Sequence, residues 1–261
     1  NLGDRDGVLK AKTEIFQSMK PNGHIVLNGD DDKLITVREY NGVKPVFFGL
    51  NSERDVYADQ VESKGLKGVA CRIHLGEDAF DVLVPTPGIH MVYNALAAAA
   101  VGRIYGLTIE EIRRGIESLE TIRGRFKMIE TDKFLVVDDC YNANPMSMKA
   151  SLDVLHDGEG RRVAILGDMG ELGEDEAALH EGVGIHAATC GIDACVCVGD
   201  LAVHIAEAAR KANPDFPVYY EKTRESLLEH LNDYVQKGDT ILVKASHFMK
   251  FEEVVKALEE M

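Results

Sequence analysis

Phe134-Leu135-Val136-Val137-Asp138-Asp139-Cys140-Tyr141-Asn142-Ala143-Asn144-Pro145-Met146-Ser147-Met148 is the stretch whose reading decides the fold of this chain. Phe134 to Val137 is a short apolar run of the kind that forms a buried strand, and Met148 to Leu155 reads as helix. Acidic residues therefore stand at the carboxyl end of a strand, and an Asn-rich turn carries the chain into a helix. Pro145 suits the first helical position, where a missing N–H costs nothing, and Asn144 suits the cap before it. A helix N-terminus opening above a strand end favours an anionic ligand, because free N–H groups and the helix dipole point at the same gap.

Downstream, strand-like and helix-like segments alternate. Apolar runs at Val163–Leu166, Ala194–Val198, Val218–Tyr220 and Thr240–Val243 are separated by helical patterns at about 146–156, 175–189, 200–211, 223–235 and 249–260. Such alternation implies an α/β domain whose mostly parallel sheet is covered on both faces, with ligands at the carboxyl ends of its strands. Upstream, Thr121-Ile122-Arg123-Gly124-Arg125 reads as a linker that divides residues 1–122 from 123–261. The first part opens with a helical pattern from Asp6 to Met19, stopped by Pro21-Asn22-Gly23. His24 to Asn28 then reads as a buried strand, and Gly29-Asp30-Asp31-Asp32 as a turn into another helix-like stretch. Val46 to Val84 reads as mainly β. His90 to Tyr105 is an Ala-rich helix, and Thr108 caps a second helix running to Leu119.

The formal net charge of -15 argues against a nucleic-acid partner, since phosphate backbones are met by basic faces. No apolar run is long enough to span a bilayer, and no secretory signal is recognisable. The five cysteines are odd in number, and Cys195 and Cys197 share one face of an apolar strand. Reduced, mostly buried thiols of a cytoplasmic protein are the expectation, without a zinc site. The chain opens at Asn1 and enters a helix with no strand before it. A piece of a longer protein, lacking its N-terminal part, is expected.

The string Asp138-Asp139-Cys140-Tyr141-Asn142-Ala143-Asn144-Pro145-Met146-Ser147-Met148 resembles a signature of the Mur ligases, in particular of the type that adds D-alanyl-D-alanine to the peptidoglycan precursor. Three further strings carry the same resemblance: Ala11-Lys12-Thr13-Glu14-Ile15-Phe16, Gly88-Ile89-His90-Met91-Val92-Tyr93-Asn94-Ala95-Leu96-Ala97-Ala98, and Leu166-Gly167-Asp168-Met169-Gly170-Glu171-Leu172-Gly173. Leu242-Val243-Lys244-Ala245-Ser246-His247 follows a fifth family pattern imperfectly: Lys244 and Ser246 match, while Ala245 and His247 depart from the usual Gly and Arg. Met91 likewise stands where the family usually has Asn, and Gly170 where it often has Leu.

The resemblance implies a partial central ATPase domain at 1–122, followed by a Rossmann-like C-terminal domain at 123–261. The implied activity is ATP-dependent ligation of D-alanyl-D-alanine to UDP-N-acetylmuramoyl-tripeptide through an acyl phosphate, with ATP and Mg2+ required and a monomeric protein expected. Residue by residue, it implies that Asp139 contacts the nucleotide, where position alone would favour a solvated turn Asp. Asn142, Asn144, His90 and Asn94 join the nucleotide site, although Asn144 reads equally well as a helix cap alone. Asn94 has an amide that matches the donor and acceptor of an adenine edge. Arg125 is implied to contact the phosphates. Lys12 is implied to be carbamylated, its new oxygens helping to hold Mg2+. Asp168, Lys244 and Ser246 fall to the substrate, while His180 reads as a packed helix histidine. No Gly-x-x-x-x-Gly-Lys-[Ser/Thr] loop occurs in the 261 residues, so the phosphate loop is expected upstream and the chain alone is expected to be inactive. Two other readings stand beside this one: another Mur-type or folylpolyglutamate-type amide ligase, and a non-catalytic α/β nucleotide-binding module.

Overall fold

The computed structural model describes residues 4–261. The chain divides into two compact units, one ending at Glu120 and one running Thr121–Met261.

The first unit begins with helix α1 (Arg5–Thr13), whose N-cap Asp4 accepts the Gly7 N–H. The helical pattern anticipated as far as Met19 tightens after Thr13 into a 3-10 stretch, Glu14–Ser18. The unit's sheet holds β1 (Val26–Asn28), β2 (Val46–Gly49), β3 (Val56–Ser63), β4 (Val69–Leu75) and β5 (Asp78–Val84) in that spatial order. The first three strands run parallel and the last three form an antiparallel meander. After Asp30–Asp32 only a single 3-10 turn forms, Leu34–Thr36, where a helix had been expected. The Asp31 carboxylate explains the tight geometry, because it accepts the N–H groups of both Lys33 and Leu34.

Strand β4 alternates buried and half-buried residues along its whole length. One face of this sheet is therefore apolar, and it is covered by α2 (Ile89–Ile104), which packs across β1 to β4. The buried small residues Ala95, Ala99 and Ala100 let that helix lie close to the strands. Helix α3 (Ile109–Glu117) follows, its start fixed by the reciprocal capping box of Thr108 and Glu111.

The second unit holds β6 (Lys127–Glu130), β7 (Leu135–Asp138), α4 (Pro145–His156), β8 (Arg162–Gly167), α5 (Glu176–Thr189), β9 (Ala194–Val198), α6 (Ala202–Ala212), β10 (Val218–Glu221), α7 (Arg224–Tyr234), β11 (Thr240–Lys244) and α8 (Glu252–Glu260). Its sheet order is β10-β9-β8-β11-β7-β6, parallel except for the antiparallel edge strand β6. Strand β6 is absent from the sequence reading. Its half-exposed pattern at Lys127–Glu130 carries no apolar run that would announce a strand.

The central strands β9 and β11 are buried at every position, as expected where helices cover both faces. On one face Val163, Ile165, Val196, Ile241 and Val243 pack with Leu227 and Leu231 of α7 and Val254 and Leu258 of α8. Helices α4 and α6 pack on the sheet as well, α4 against β8 and β11 and α6 against β9. Strand β11 enters between β7 and β8 although it is last in sequence, so the loops after β7, β8 and β11 meet at one carboxyl edge. That is the place where such a sheet collects ligands. No helix among the described residues is long and apolar enough to cross a membrane.

Candidate nucleotide-facing site

The edge is organised around a buried lysine. Lys244 ends β11, and its side chain is 2% exposed. Its Nζ donates to Asp139 Oδ2 at 2.6 Å and to the Asn142 carbonyl at 3.0 Å. Ser151 of α4 donates its hydroxyl to the same Asp139 oxygen at 2.8 Å. An ammonium this deeply buried is tolerable only because an ionised partner and a carbonyl meet it. Both contacts fall on Asp139 Oδ2, which leaves Oδ1 without a partner among the described residues.

Asp138, the preceding residue, faces inward and is buried. Its carboxylate accepts the Gly124 N–H at 2.9 Å and the Cys140 thiol at 3.0 Å. Burial first, and then the hydrogen bond to Asp138 and its charge, push the Cys140 thiol far above the ordinary range, so it stays protonated. The Gly124 carbonyl in turn accepts the Tyr141 N–H at 3.0 Å. The next residue, Arg125, lays its guanidinium carbon 4.3 Å above the Tyr141 ring centre. His247 contacts the same ring at 5.4 Å between centroids. Arg125 is exposed and forms no ion pair among the described residues.

The division between the two units falls at the start of the stretch read as a linker, 121–125, and part of that stretch is anchored within the second unit. Arg123 makes a forked pair with Glu259 at 2.8 Å through each nitrogen, and Gly124 is held by Asp138 and Tyr141. The sequence showed Asp138 and Asp139 side by side. Alternation along the strand gives them opposite jobs, one anchoring Gly124 and one meeting Lys244.

The remaining candidates of this unit divide into edge groups and structural groups. Asn142 is exposed and offers its carbonyl to Lys244. The Asn144 side chain accepts the Ser147 N–H at 2.9 Å while Ser147 Oγ accepts the Asn144 N–H, a capping box that starts α4. Asp168, the residue that follows β8, is buried, and its Oδ1 accepts the Leu201 and Ala202 N–H groups at 3.0 and 2.7 Å. It thus caps α6 from another loop, and burial raises its carboxyl above the usual range against the pull of the Ala202 N–H. Gly199 makes room for it, since a Cβ there would lie 2.3 Å from Asp168 Oδ1. Ser246 accepts the Gly170 N–H at 2.9 Å and donates its own N–H to the Asp168 carbonyl, tying the β11 loop to the β8 loop. His180 is fully buried, with Nε2 accepting the Met169 N–H and Nδ1 2.7 Å from the Glu176 carbonyl, as a packed helix histidine should be.

In the first unit, Asn94 and His90 are exposed near the start of α2. The Asn94 amide lies 3.4 Å from the Met91 sulfur and lines an apolar cavity of about 320 Å³ between α2 and α3. Lys12 is exposed on α1 and forms no ion pair among the described residues. No group of three or more His, Cys, Asp or Glu side chains among the described residues is placed to hold a metal ion. Tyr93, Arg54 and the Leu50 N–H converge on Asp30, a network that the sequence did not announce.

The chain matches the Mur ligase middle domain over residues 1–102 and the Mur ligase glutamate ligase domain over residues 124–247. It belongs to the Mur ligase family. It is 34% identical over 263 residues to UDP-N-acetylmuramoyl-tripeptide--D-alanyl-D-alanine ligase of Bacillus subtilis, covering 100% of this chain and 56% of the relative. It is 35% identical over 263 residues to the Escherichia coli enzyme of the same name, covering 99% and 57%. Among solved structures it superposes on MurF from Acinetobacter baumannii with a TM-score of 0.87 at 30% identity, over 100% of this chain and 56% of that one. It superposes on Thermotoga maritima MurF in complex with ADP with a TM-score of 0.82 at 26% identity, over 99% and 58%. The chain thus spans little more than half the length of the relatives it matches.

Proposed function

We propose that this chain supplies the middle-domain and C-terminal-domain parts of an ATP-dependent ligase that joins D-alanyl-D-alanine to UDP-N-acetylmuramoyl-tripeptide. The observation that carries the reading is that two polar groups near one sheet edge, Arg125 and Asp139, are left open for a ligand. Among the described residues Arg125 has no carboxylate partner and Asp139 keeps one oxygen unengaged, within a chain alike from end to end to enzymes of that name. A nucleotide offers the complement of this set, hydroxyl donors for a carboxylate and an anionic tail for a guanidinium.

In this reading Lys244 holds Asp139 oriented through Oδ2, so that Oδ1 accepts from the ribose hydroxyls. Arg125 meets the phosphates. On the first unit Asn94 and His90, and on the second Asn142, are each assigned to nucleotide contact. The capping oxygen of Asn144 is engaged in starting α4, which leaves its amide nitrogen for the ligand. ATP supplies the phosphoryl group that activates the tripeptide carboxylate, and the loops carrying Asp168 and Ser246 shape the place of the incoming amine. Lys12 as a carbamate, with Mg2+ ligands from sequence outside these 261 residues, completes the proposal.

The test is a ligation assay on the complete polypeptide that contains this chain, offered UDP-N-acetylmuramoyl-tripeptide and a panel of amine substrates. ATP-dependent phosphate release with D-alanyl-D-alanine, absent with glutamate or single amino acids, is the expected result. Preference for glutamate would move the chain to another branch of amide ligases, and no release with any amine would leave it a binding module.

A further inference from the structure

We propose that Tyr141 is the positioning residue that presets Arg125 as a fixed part of the second unit. The inference rests on the nucleotide role of Arg125 given above, and its geometry is independent of that role. A free arginine on a linker samples many rotamers, and ordering it costs entropy each time a ligand arrives. Here the ordering is already done.

Five contacts do it. The Arg123 fork on Glu259 and the Gly124 N–H to Asp138 fix the backbone on one side. The Tyr141 N–H to the Gly124 carbonyl closes the same loop from the other. Gly124 sits at φ +76, and a Cβ there would come 3.1 Å from Tyr141 Cβ, so the close approach of the two segments requires glycine. The Arg125 guanidinium then stacks on the Tyr141 ring, and His247 braces that ring from the β11 loop. The stack binds the cation through the ring face and leaves the nitrogen edges of the guanidinium open to an anion. An acidic partner would have neutralised the charge, whereas an aromatic one holds the group and keeps its charge available.

Two measurements test this. In the 261-residue chain, the Arg125 δ-methylene protons should be shifted upfield by the Tyr141 ring, remain so in Tyr141→Phe, and return to ordinary values in Tyr141→Leu. In the complete ligase, Tyr141→Leu should lower kcat/KM for ATP about three- to five-fold, the size expected of an exposed cation–π contact. Tyr141→Phe should restore the wild-type value, and Tyr141→Leu should add nothing in an Arg125→Ala background. Unshifted Arg125 protons in the wild-type chain overturn the proposal, as does a Tyr141→Leu loss undiminished in the Arg125→Ala background. Should Arg125→Ala leave kcat/KM unchanged, the functional reading fails and takes the proposal with it. Persistent ring shifts would then show that the stack exists and that the ligand assignment was at fault.

Discussion

Replacing Lys244 by Met tests the buried pair at the heart of the edge. Breaking a buried ion pair by removing one partner costs about 3–5 kcal/mol, because the other charge is left unmatched. The two partners here are unequal: the Lys244 side chain is 2% exposed and that of Asp139 is 16% exposed. Lys244→Met leaves Asp139 with the Ser151 hydroxyl and some access to water, so its cost should fall near the lower end, about 3 kcal/mol. Asp139→Ala leaves an ammonium with only the Asn142 carbonyl at 3.0 Å, and its cost should approach the upper end, about 5 kcal/mol. The double variant should cost clearly less than the sum, since neither charge is then stranded. A loss of 3 kcal/mol corresponds to a fall in the urea midpoint of about 1–3 M. Urea titration followed by circular dichroism would read it. Hydrogen exchange should be read at residues of the second unit, since the two units need not unfold together. The reasoning is refuted if Asp139→Ala is the milder variant, or if the two single losses simply add.

Three further outcomes follow from the loops. Gly199→Ala places a Cβ 2.3 Å from Asp168 Oδ1 at φ +123, so it should uncap α6 and cost at least about 2 kcal/mol, read as a lowered thermal midpoint. Because burial raises the Asp168 carboxyl, its neutral form is favoured by folding: stability is highest below the unfolded carboxylate range and declines as pH climbs through the raised folded value. Asp168→Asn removes that dependence, so the variant should gain on the wild type between acid and neutral pH in paired urea titrations. A pH-independent difference would contradict the assignment. Gly170→Leu should be destabilising, since a Cβ there meets Phe248 Cε1 at 2.9 Å, and Phe248→Ala should rescue it, measured by the same midpoints.

Much of the second unit was legible because its elements announce themselves. The apolar runs of β7, β8, β9 and β11 are buried on both faces, and Asn144-Pro145 marks the start of α4. Strand β6 was missed because an edge strand with one partner needs no apolar run. The helix expected after Asp32 was lost to a local effect, the Asp31 carboxylate drawing two N–H groups into a tight turn. The candidate residues were legible as residue types, but their partners were not. Nothing in the sequence pairs Lys244 with Asp139 across 105 positions or sets Arg125 on Tyr141, because the first contact exists only once β11 has entered beside β7 and the second only once β6 has paired with β7. Asp168 illustrates the converse: a loop aspartate that resembles a substrate ligand has its Oδ1 engaged in holding the start of α6.

The most direct test is to titrate isotopically labelled chain with ADP and follow the backbone and arginine side-chain resonances. The account predicts saturable shifts at Arg125, Asp139 and Asn142, abolished together by Arg125→Ala/Asp139→Ala. Saturable shifts confined to other residues, with these three unmoved, would contradict it.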